Sequence, residues 1–203
     1  MELYPWQSDF LGCREPICAW IAPRQSGKTT AVLLKANQVD ACVIIAPHET
    51  HLHVLRQRQE LLEREGFNSY PQLISANGSH HISEFPDLII IEEATTMTMA
   101  QLTFYLQTAR NYHSQLVFMG TPHQNNRNLP DLCVQENIPV HRTRQSPHHQ
   151  DAWLMSSLRR SLTDSQYMNQ ALGMYEPEIE RLFTRPGLKE FDLCELISLP
   201  PTP

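Results

Sequence analysis

The sequence predicts an α/β domain built on a mainly parallel sheet, and two features of the chain carry that prediction. The first is the alternation of short apolar runs with helical patterns over roughly the first two-thirds of the chain, which is typical of strand–helix–strand units. The second is a Gly-Lys-Thr sequence between the first apolar run and the first helical pattern, where such a sheet binds ligands. With 203 residues, the chain is long enough for one domain with a real core and a small addition.

The apolar runs and periodic stretches predict the elements in order. Strands are predicted at 17–22, 41–46, 87–91, 115–119 and 138–142. Helices are predicted at 28–38, 49–65, 98–111, 151–161 and 164–173. The segment after Gly120 is rich in Asn and Pro and is predicted to form a loop. We therefore divide the chain into a core at 1–145, a small helical lid or linker subdomain at 146–184 and an irregular tail at 185–203.

The composition is that of a globular protein, with 41% hydrophobic and 19% charged residues, and it excludes wholesale disorder. The formal net charge is −6, so we expect contacts with nucleic acid to be local or transient. Five cysteines without a Cys-x-x-Cys pair favour reduced thiols in a cytoplasmic protein and give no indication of structural zinc. No window approaches the roughly 20 apolar residues of a membrane span, so no membrane contact is expected.

The residues from Ala22 to Thr30 read Ala-Pro-Arg-Gln-Ser-Gly-Lys-Thr-Thr. They match the Walker A pattern, with Ala22 in place of its first glycine. The glycine before the lysine lets backbone N–H groups curl around phosphates, the lysine reaches the β- and γ-phosphates, and the next hydroxyl binds Mg²⁺. A chance loop before a helix is the alternative. The pattern predicts a P-loop NTPase whose nucleotide-binding residues are Gln25, Ser26, Gly27, Lys28, Thr29 and Thr30.

Two acids, Glu92 and Glu93, directly follow the most apolar predicted strand. Ligands of parallel sheets bind where the strands end at their carboxyl side. In a Walker B motif the first carboxylate holds Mg²⁺ and the second orients and deprotonates the attacking water. We therefore expect Glu92 to bind the metal together with Thr29, and Glu93 to be the general base. The alternative is that both acids cap the next helix or face solvent.

Four segments, in this order, resemble landmarks of the ATPase domain of the large terminase subunit, the viral DNA-packaging motor. They are Tyr4-Pro5-Trp6-Gln7, Arg24 to Thr30, Ile89 to Ala94, and Val117 to Pro122. The resemblance covers about residues 4–180 and implies a RecA/ASCE-like fold that uses ATP and Mg²⁺. It also implies that Gln7 bonds the adenine edge, that Arg24 reaches the γ-phosphate during catalysis, and that Thr121 senses that phosphate.

The resemblance further implies a homo-oligomeric ring that moves double-stranded DNA through transient contacts with its phosphate backbone. A portal protein and a small terminase subunit are the partners that such a motor would have. The family's C-terminal nuclease has no counterpart in this sequence, so a separate nuclease is expected to cut the DNA. A basic stretch at 141–149 is a candidate DNA contact. The candidates for an arginine finger are Arg110, Arg127, Arg142 and Arg144.

Two other functions stay open at this point. A helicase-type ATPase of the DEAD-like group shares three of the four landmarks, and it would need another chain to supply its second RecA-like domain. A nucleotide-binding switch or scaffold with weak hydrolysis is the other, because Glu92 stands where most terminases have Asp. DNA-stimulated turnover, strand unwinding, and ATP binding without turnover distinguish the three.

Overall fold

The computed structural model contains one sheet of six parallel strands between two layers of helices. It describes residues 3–67, 70–77, 82, 85–123, 126–143, 152–163, 166–167 and 171. The strands are β1 Ile17–Ile21, β2 Cys42–Ala46, β3 Gln72–Ser75, β4 Leu88–Ile91, β5 Gln115–Gly120 and β6 Val140–Arg142. The helices are α1 Pro5–Gly12, α2 Lys28–Ala36, α3 Glu49–Arg64, α4 Met99–Tyr112, α5 Asn128–Gln135 and α6 Ala152–Ser161, and a 3₁₀ turn lies at Ala94–Thr96.

The strand order is β3-β2-β4-β5-β1-β6, and every pair is parallel. Strand β5 therefore lies between the strand that precedes the phosphate loop and the strand that precedes the acids. Ile21 pairs with Gly120, and Ile91 pairs with Phe118, so the three strands end close to the same level. The segments after β1, β4 and β5 consequently meet at one edge of the sheet.

Each face of the sheet packs against its own group of helices. On one face, side chains of β1, β2 and β4 contact apolar residues of α1, α2 and α3. On the other face they contact α4 and α5. The side chains of Ile89, Ile90 and Ile91 are all fully buried, and burial of such a side chain contributes about 1.5–3 kcal/mol. The predicted α/β class with a parallel sheet is confirmed.

Three elements were not predicted, and each had a weak sequence signal. The loop prediction for the segment after Gly120 was wrong from Asn128 onward, where α5 begins with Pro130 in its first turn, a position that needs no backbone N–H. Helix α1 has eight residues, with Pro5 in its first turn. Strand β3 has four residues at the edge of the sheet. Short elements of this kind carry too little periodicity to be recognised.

The short strand predicted at 138–142 is present as β6, and the helix predicted at 151–161 is present as α6. Most of the helix predicted at 164–173 and the whole tail at 185–203 lie outside the described residues, so the three-part division of the chain stays a prediction. Within the described part of the chain, no helix combines the length and the apolar character needed to cross a membrane.

Candidate nucleotide and magnesium site

The loop between β1 and α2 makes a tight turn that only certain residues allow. Gly27 has φ +83 and Gln25 has φ 58, both in the left-handed region that favours glycine. The fully buried Ser26 hydroxyl donates a 2.8 Å hydrogen bond to the carbonyl oxygen of Pro23, which closes the loop on itself. Helix α2 begins directly after Gly27, and its first N–H groups have no partner within the helix. The loop and this helix end form a cradle suited to phosphate oxygens.

Gln7 of α1 lies against this turn. Its Nε2 donates to the carbonyl oxygen of Gly27 at 3.2 Å, and its Oε1 accepts from the backbone N–H of Tyr4 at 3.0 Å. A Cβ atom on Gly27 would lie 2.7 Å from Gln7 Nε2. The Gln7 side chain is 4% exposed. These two bonds use one N–H and one lone pair of the carboxamide, which has two of each. Recognition of adenine by Gln7 stays a prediction.

Lys28 is the first residue of α2, and its side chain is 6% exposed. Its Nζ donates to Thr121 Oγ1 at 2.7 Å and to the carbonyl oxygen of Pro23 at 3.0 Å, and it lies 3.7 Å from Glu93 Oε1. Burial lowers the pKa of Lys28, while the Glu93 and Glu92 carboxylates oppose that change. The loop, strand β5 and the acidic pair thus meet at one ammonium group.

Glu92 and Thr29, the two predicted magnesium ligands, are in direct contact. Thr29 Oγ1 donates a 2.8 Å hydrogen bond to Glu92 Oε1. Glu92 is 4% exposed, and burial raises its pKa to about 7, although the Thr29 hydrogen bond and the Lys28 charge act in the opposite direction. A hydroxyl and a carboxylate are the oxygen donors that Mg²⁺ prefers. The donor set therefore fits the predicted ion.

Glu93 adopts a left-handed backbone conformation, with φ 49 and ψ 39. Non-glycine residues rarely adopt it, and it is found at functional sites that hold a side chain in a required direction. Here it directs the carboxylate toward the end of β5. Glu93 Oε2 accepts from the backbone N–H of Thr121 at 3.3 Å, and Glu93 Oε1 lies 3.4 Å from the Thr121 hydroxyl. Lys28, Thr121 and Glu93 are consequently linked in one chain of hydrogen bonds.

Thr121 is held from behind by Thr95, in the 3₁₀ turn after the acids. Thr95 Oγ1 donates to the carbonyl oxygen of Thr121, and both side chains are buried. A Cβ atom on Gly120 would lie 2.8 Å from Thr95 Cγ2 and 3.0 Å from Thr95 Oγ1. A glycine before Thr121 therefore allows the turn after β4 to approach the end of β5 closely.

An open cleft of about 360 Å³ lies in front of these groups. It is lined by Arg24, Gln25, Gly27, Lys28, Thr29, Thr30, Val54, Arg58 and Glu93. Arg24 is exposed on the loop, and its charge contributes to lowering the pKa of Lys28. Arg58 comes from α3, and its Nε donates a 2.9 Å hydrogen bond to the Thr30 hydroxyl. Two guanidinium groups therefore border the cleft, a suitable arrangement for a polyphosphate.

The four arginine-finger candidates lie elsewhere or outside the described residues. Arg110 pairs with Glu136 at 2.8 Å, and Arg127 lies 3.6 Å from Asp131. Arg142 borders a separate apolar groove between β6 and α5. Arg144 is outside the described residues, as is most of the basic stretch at 141–149. The choice of finger and the DNA-contacting residues stay predictions.

Sequence reasoning missed Arg58 and Thr95. Arg58 is one of three arginines in α3, and no motif marks it out. Its position six residues after Leu52, which is buried on the same helix, does not define which surface it reaches. Thr95 follows the acids within three residues, so the signal that could have identified it is the small side chain of Gly120, which implies a close neighbour at that level of the sheet.

The comparisons with known proteins identify a fold. The chain superimposes on the ATPase domain of the large terminase of Thermus phage P74-26 with a TM-score of 0.63, 13% identity, and coverage of 85% of this chain and 94% of that domain. A mutant form of the same domain gives 0.67, 14%, 85% and 93%. The large terminase of another, thermophilic bacteriophage gives 0.65, 10%, 86% and 54%. No family model and no curated protein matches the sequence. The chain therefore has the fold of phage large terminase ATPase domains.

Proposed function

We propose that this protein is an ATP-hydrolysing, DNA-translocating motor subunit of the large terminase kind, without nuclease activity of its own. The observation that carries the ATPase part is the meeting of the phosphate loop with the acidic pair: Lys28 Nζ lies 3.7 Å from Glu93, and Thr29 Oγ1 lies 2.8 Å from Glu92. Groups separated by more than 60 positions in the chain thus line one cleft.

The chemistry of hydrolysis would depend on positioned charge. Lys28 and Arg24 would neutralise charge on the β- and γ-phosphates, and the backbone N–H groups around Gly27 would hold their oxygens. Mg²⁺, held by Thr29 and Glu92, would supply additional neutralisation of the phosphate oxygens. Glu93 would accept a proton from the attacking water, whose oxygen forms the new bond to the γ-phosphorus as the bond to the β-γ bridging oxygen breaks.

Thr121 has the position expected of a group that reports the state of the γ-phosphate. It contacts both Lys28 and Glu93, and the chain continues from it into the loop before α5. A change in the partner of Lys28 on hydrolysis would alter the 2.7 Å contact with Thr121 and would reach that loop. This supports Thr121 as the residue that couples hydrolysis to movement.

The translocation part of the proposal is supported by the fold. With a net charge of −6, the chain would bind the phosphate backbone of double-stranded DNA through local contacts that weaken with salt. A homo-oligomeric ring would surround the DNA, with a neighbouring subunit supplying an arginine finger. A portal protein, a small terminase subunit and a separate nuclease would complete the packaging machine.

The experiment is steady-state ATP turnover of the purified protein with and without double-stranded DNA. We expect DNA to increase turnover, Glu93→Gln to lose at least about 100-fold in kcat while ATP still binds, and Lys28→Ala to lose ATP binding. Glu60→Gln, an exposed carboxylate on α3, is the matched control and should retain wild-type turnover.

Full turnover in Glu93→Gln would overturn the assignment of the base. Turnover that DNA does not change would overturn the motor. Tight ATP binding with negligible turnover would instead identify a nucleotide-dependent switch, and unwinding of duplex DNA together with a partner chain would identify a helicase subunit.

A further inference from the structure

A second cluster of reactive side chains lies away from the nucleotide cleft, near the amino end of β1. Cys13 follows α1, Glu15 precedes β1, Cys18 belongs to β1, and His141 belongs to the neighbouring strand β6. The side chain of Cys18 lies on the sheet face that packs against α1 and α2. The phosphate loop follows the opposite, carboxyl end of β1. These four residues, called the thiol cluster below, take no part in the chemistry proposed above.

The donor atoms of the thiol cluster are already close to tetrahedral metal geometry. Cys13 Sγ lies 3.8 Å from Cys18 Sγ and 3.7 Å from Glu15 Oε2. Zinc–sulfur bonds of about 2.3 Å and zinc–oxygen bonds of about 2.0 Å at tetrahedral angles place two sulfurs about 3.8 Å apart and a sulfur and an oxygen about 3.5 Å apart. The two observed separations therefore require almost no rearrangement.

His141 supplies the fourth donor. Its Nε2 lies 2.6 Å from Glu15 Oε2, and one donor atom from each of Cys13, Glu15 and His141 lies within 4.8 Å of the others. Tetrahedral zinc would separate the nitrogen and the oxygen to about 3.3 Å, so the hydrogen bond between them would open by about 0.7 Å. His141 and Glu15 are 35% and 37% exposed, which leaves both side chains room to move and gives an ion access.

The backbone that carries these side chains is fixed by other contacts. Lys35 Nζ donates to the carbonyl oxygen of Cys13 at 2.9 Å, and Gln115 Nε2 donates to the carbonyl oxygen of Glu15 at 2.8 Å. The His141 ring stacks on Trp20 with 4.3 Å between ring centroids and 18° between planes. Ligands held in this way lose little conformational freedom on binding a metal.

The local charge also suits a bound divalent cation. Burial raises the pKa of the Cys18 thiol, and Cys13 raises it further, so the free thiol stays protonated and a bound metal would displace that proton. Two thiolates, one carboxylate and one divalent cation carry one net negative charge. The ammonium of Lys35, next to Cys13, can balance that charge.

We propose that the thiol cluster is a structural zinc site that fastens β6 to the junction of α1 and β1. Thiolate and imidazole donors favour zinc over magnesium or calcium, which prefer oxygen ligands alone. The four ligands fill a tetrahedral shell, which is typical of a structural rather than a catalytic site.

The experiment uses Co²⁺ as a spectroscopic probe, because tetrahedral thiolate-bound Co²⁺ absorbs strongly in the near ultraviolet and the visible. The full chain, reduced with a phosphine and treated with a chelator, is titrated with Co²⁺ and then with Zn²⁺. We expect one equivalent of Co²⁺ to give thiolate charge-transfer absorption, one equivalent of Zn²⁺ to remove it, and Zn²⁺ to raise the thermal midpoint.

Variants identify the ligands. Cys13→Ser should remove about half of the charge-transfer absorption, and His141→Gln should keep that absorption but weaken the affinity about 10- to 100-fold. Both side chains are partly exposed, so these changes should leave the fold intact, and ATP binding through Lys28 should be unaffected. Cys133→Ser, on the opposite face of the sheet, and Cys194→Ser are matched controls and should bind the metal as the wild type does.

Three results would overturn the proposal. The first is Co²⁺ binding without thiolate absorption, which would indicate histidines elsewhere in the chain. The second is thiolate absorption that persists unchanged in Cys13→Ser. The third is the recovery of only a Cys13–Cys18 disulfide, without a metal complex, from the reduced and metal-loaded protein.

Discussion

The Thr29 hydroxyl and the Glu92 carboxylate lie 2.8 Å apart, so the two predicted ligands of Mg²⁺ form a hydrogen bond to each other. The same carboxylate is buried with a pKa of about 7, against 4.5 for an ordinary glutamate. Below pH 4.5 both the folded and the unfolded protein carry a neutral Glu92. As the pH rises toward 7, the unfolded chain loses this proton first, so the contribution of Glu92 to stability falls.

This relationship predicts that Glu92→Gln stabilises the metal-free protein at alkaline pH. The amide keeps an acceptor for Thr29 but carries no charge, so the stability advantage of the variant should grow across pH 4.5–7 and reach on the order of 3 kcal/mol. Denaturant unfolding of both proteins at several pH values measures the difference. Glu60→Gln is the control, and a Glu92→Gln advantage that does not change with pH would contradict the buried-carboxylate argument.

Arg58 is expected to contribute to nucleotide binding although no motif contains it. Its guanidinium borders the phosphate cleft and is anchored by Thr30, and a charge-assisted contact with phosphate is worth about 1.5–3 kcal/mol. Arg58→Ala should therefore raise the Kd for ATP by about tenfold or more, as measured by calorimetry. Arg56→Ala, exposed on the same helix and outside the cleft lining, should change the Kd little. Equal effects of the two substitutions would indicate only a general loss of positive charge.

Gly120→Ala should destabilise the protein by about 1–3 kcal/mol, because its Cβ would overlap Thr95 in a packed interior. Chemical denaturation measures the loss. Gly12→Ala, where a Cβ meets nothing within 4 Å, is the matched control and should be neutral or slightly stabilising. Adding Thr95→Ser to Gly120→Ala removes the methyl group at 2.8 Å and should restore part of the stability. If the double variant recovers nothing, the close approach of Thr95 is not the cause.

Gln7→Ala separates two roles of one carboxamide. Its contact with Gly27 supports the shape of the loop, so the variant should bind GTP several-fold more weakly, since a lost hydrogen bond costs about 0.5–1.5 kcal/mol. If Gln7 also bonds adenine, ATP binding should weaken further than GTP binding. Competition with a fluorescent nucleotide gives both constants, and the exposed Gln107→Ala serves as the control. An unchanged GTP affinity would contradict the support of the loop, and equal losses would contradict adenine recognition.

The sequence predicts the parts of the site that lie next to each other in the chain or end neighbouring strands. Lys28 and Glu93 could be paired in advance because parallel strands align their carboxyl ends, and the order of the sheet places Thr121 between them. Arg58 could not be placed, since helical periodicity identifies the buried side of α3 but not what its exposed side faces. Nor could spacing alone bring His141 to within 2.6 Å of Glu15, 126 positions away. That meeting depends on β6, a strand of three residues whose neighbour is decided by packing.

The contact between Gln7 and Gly27 has a practical consequence for producing this protein. A shortened version starting at β1 would keep the Walker A and Walker B residues intact, yet it would lack the α1 side chain that packs on the turn of the phosphate loop. Such a fragment is a poor choice for crystallisation with nucleotides. A purification tag joined ahead of Tyr4 would also sit only a few residues from that turn along the chain, so the opposite terminus is the better place for it.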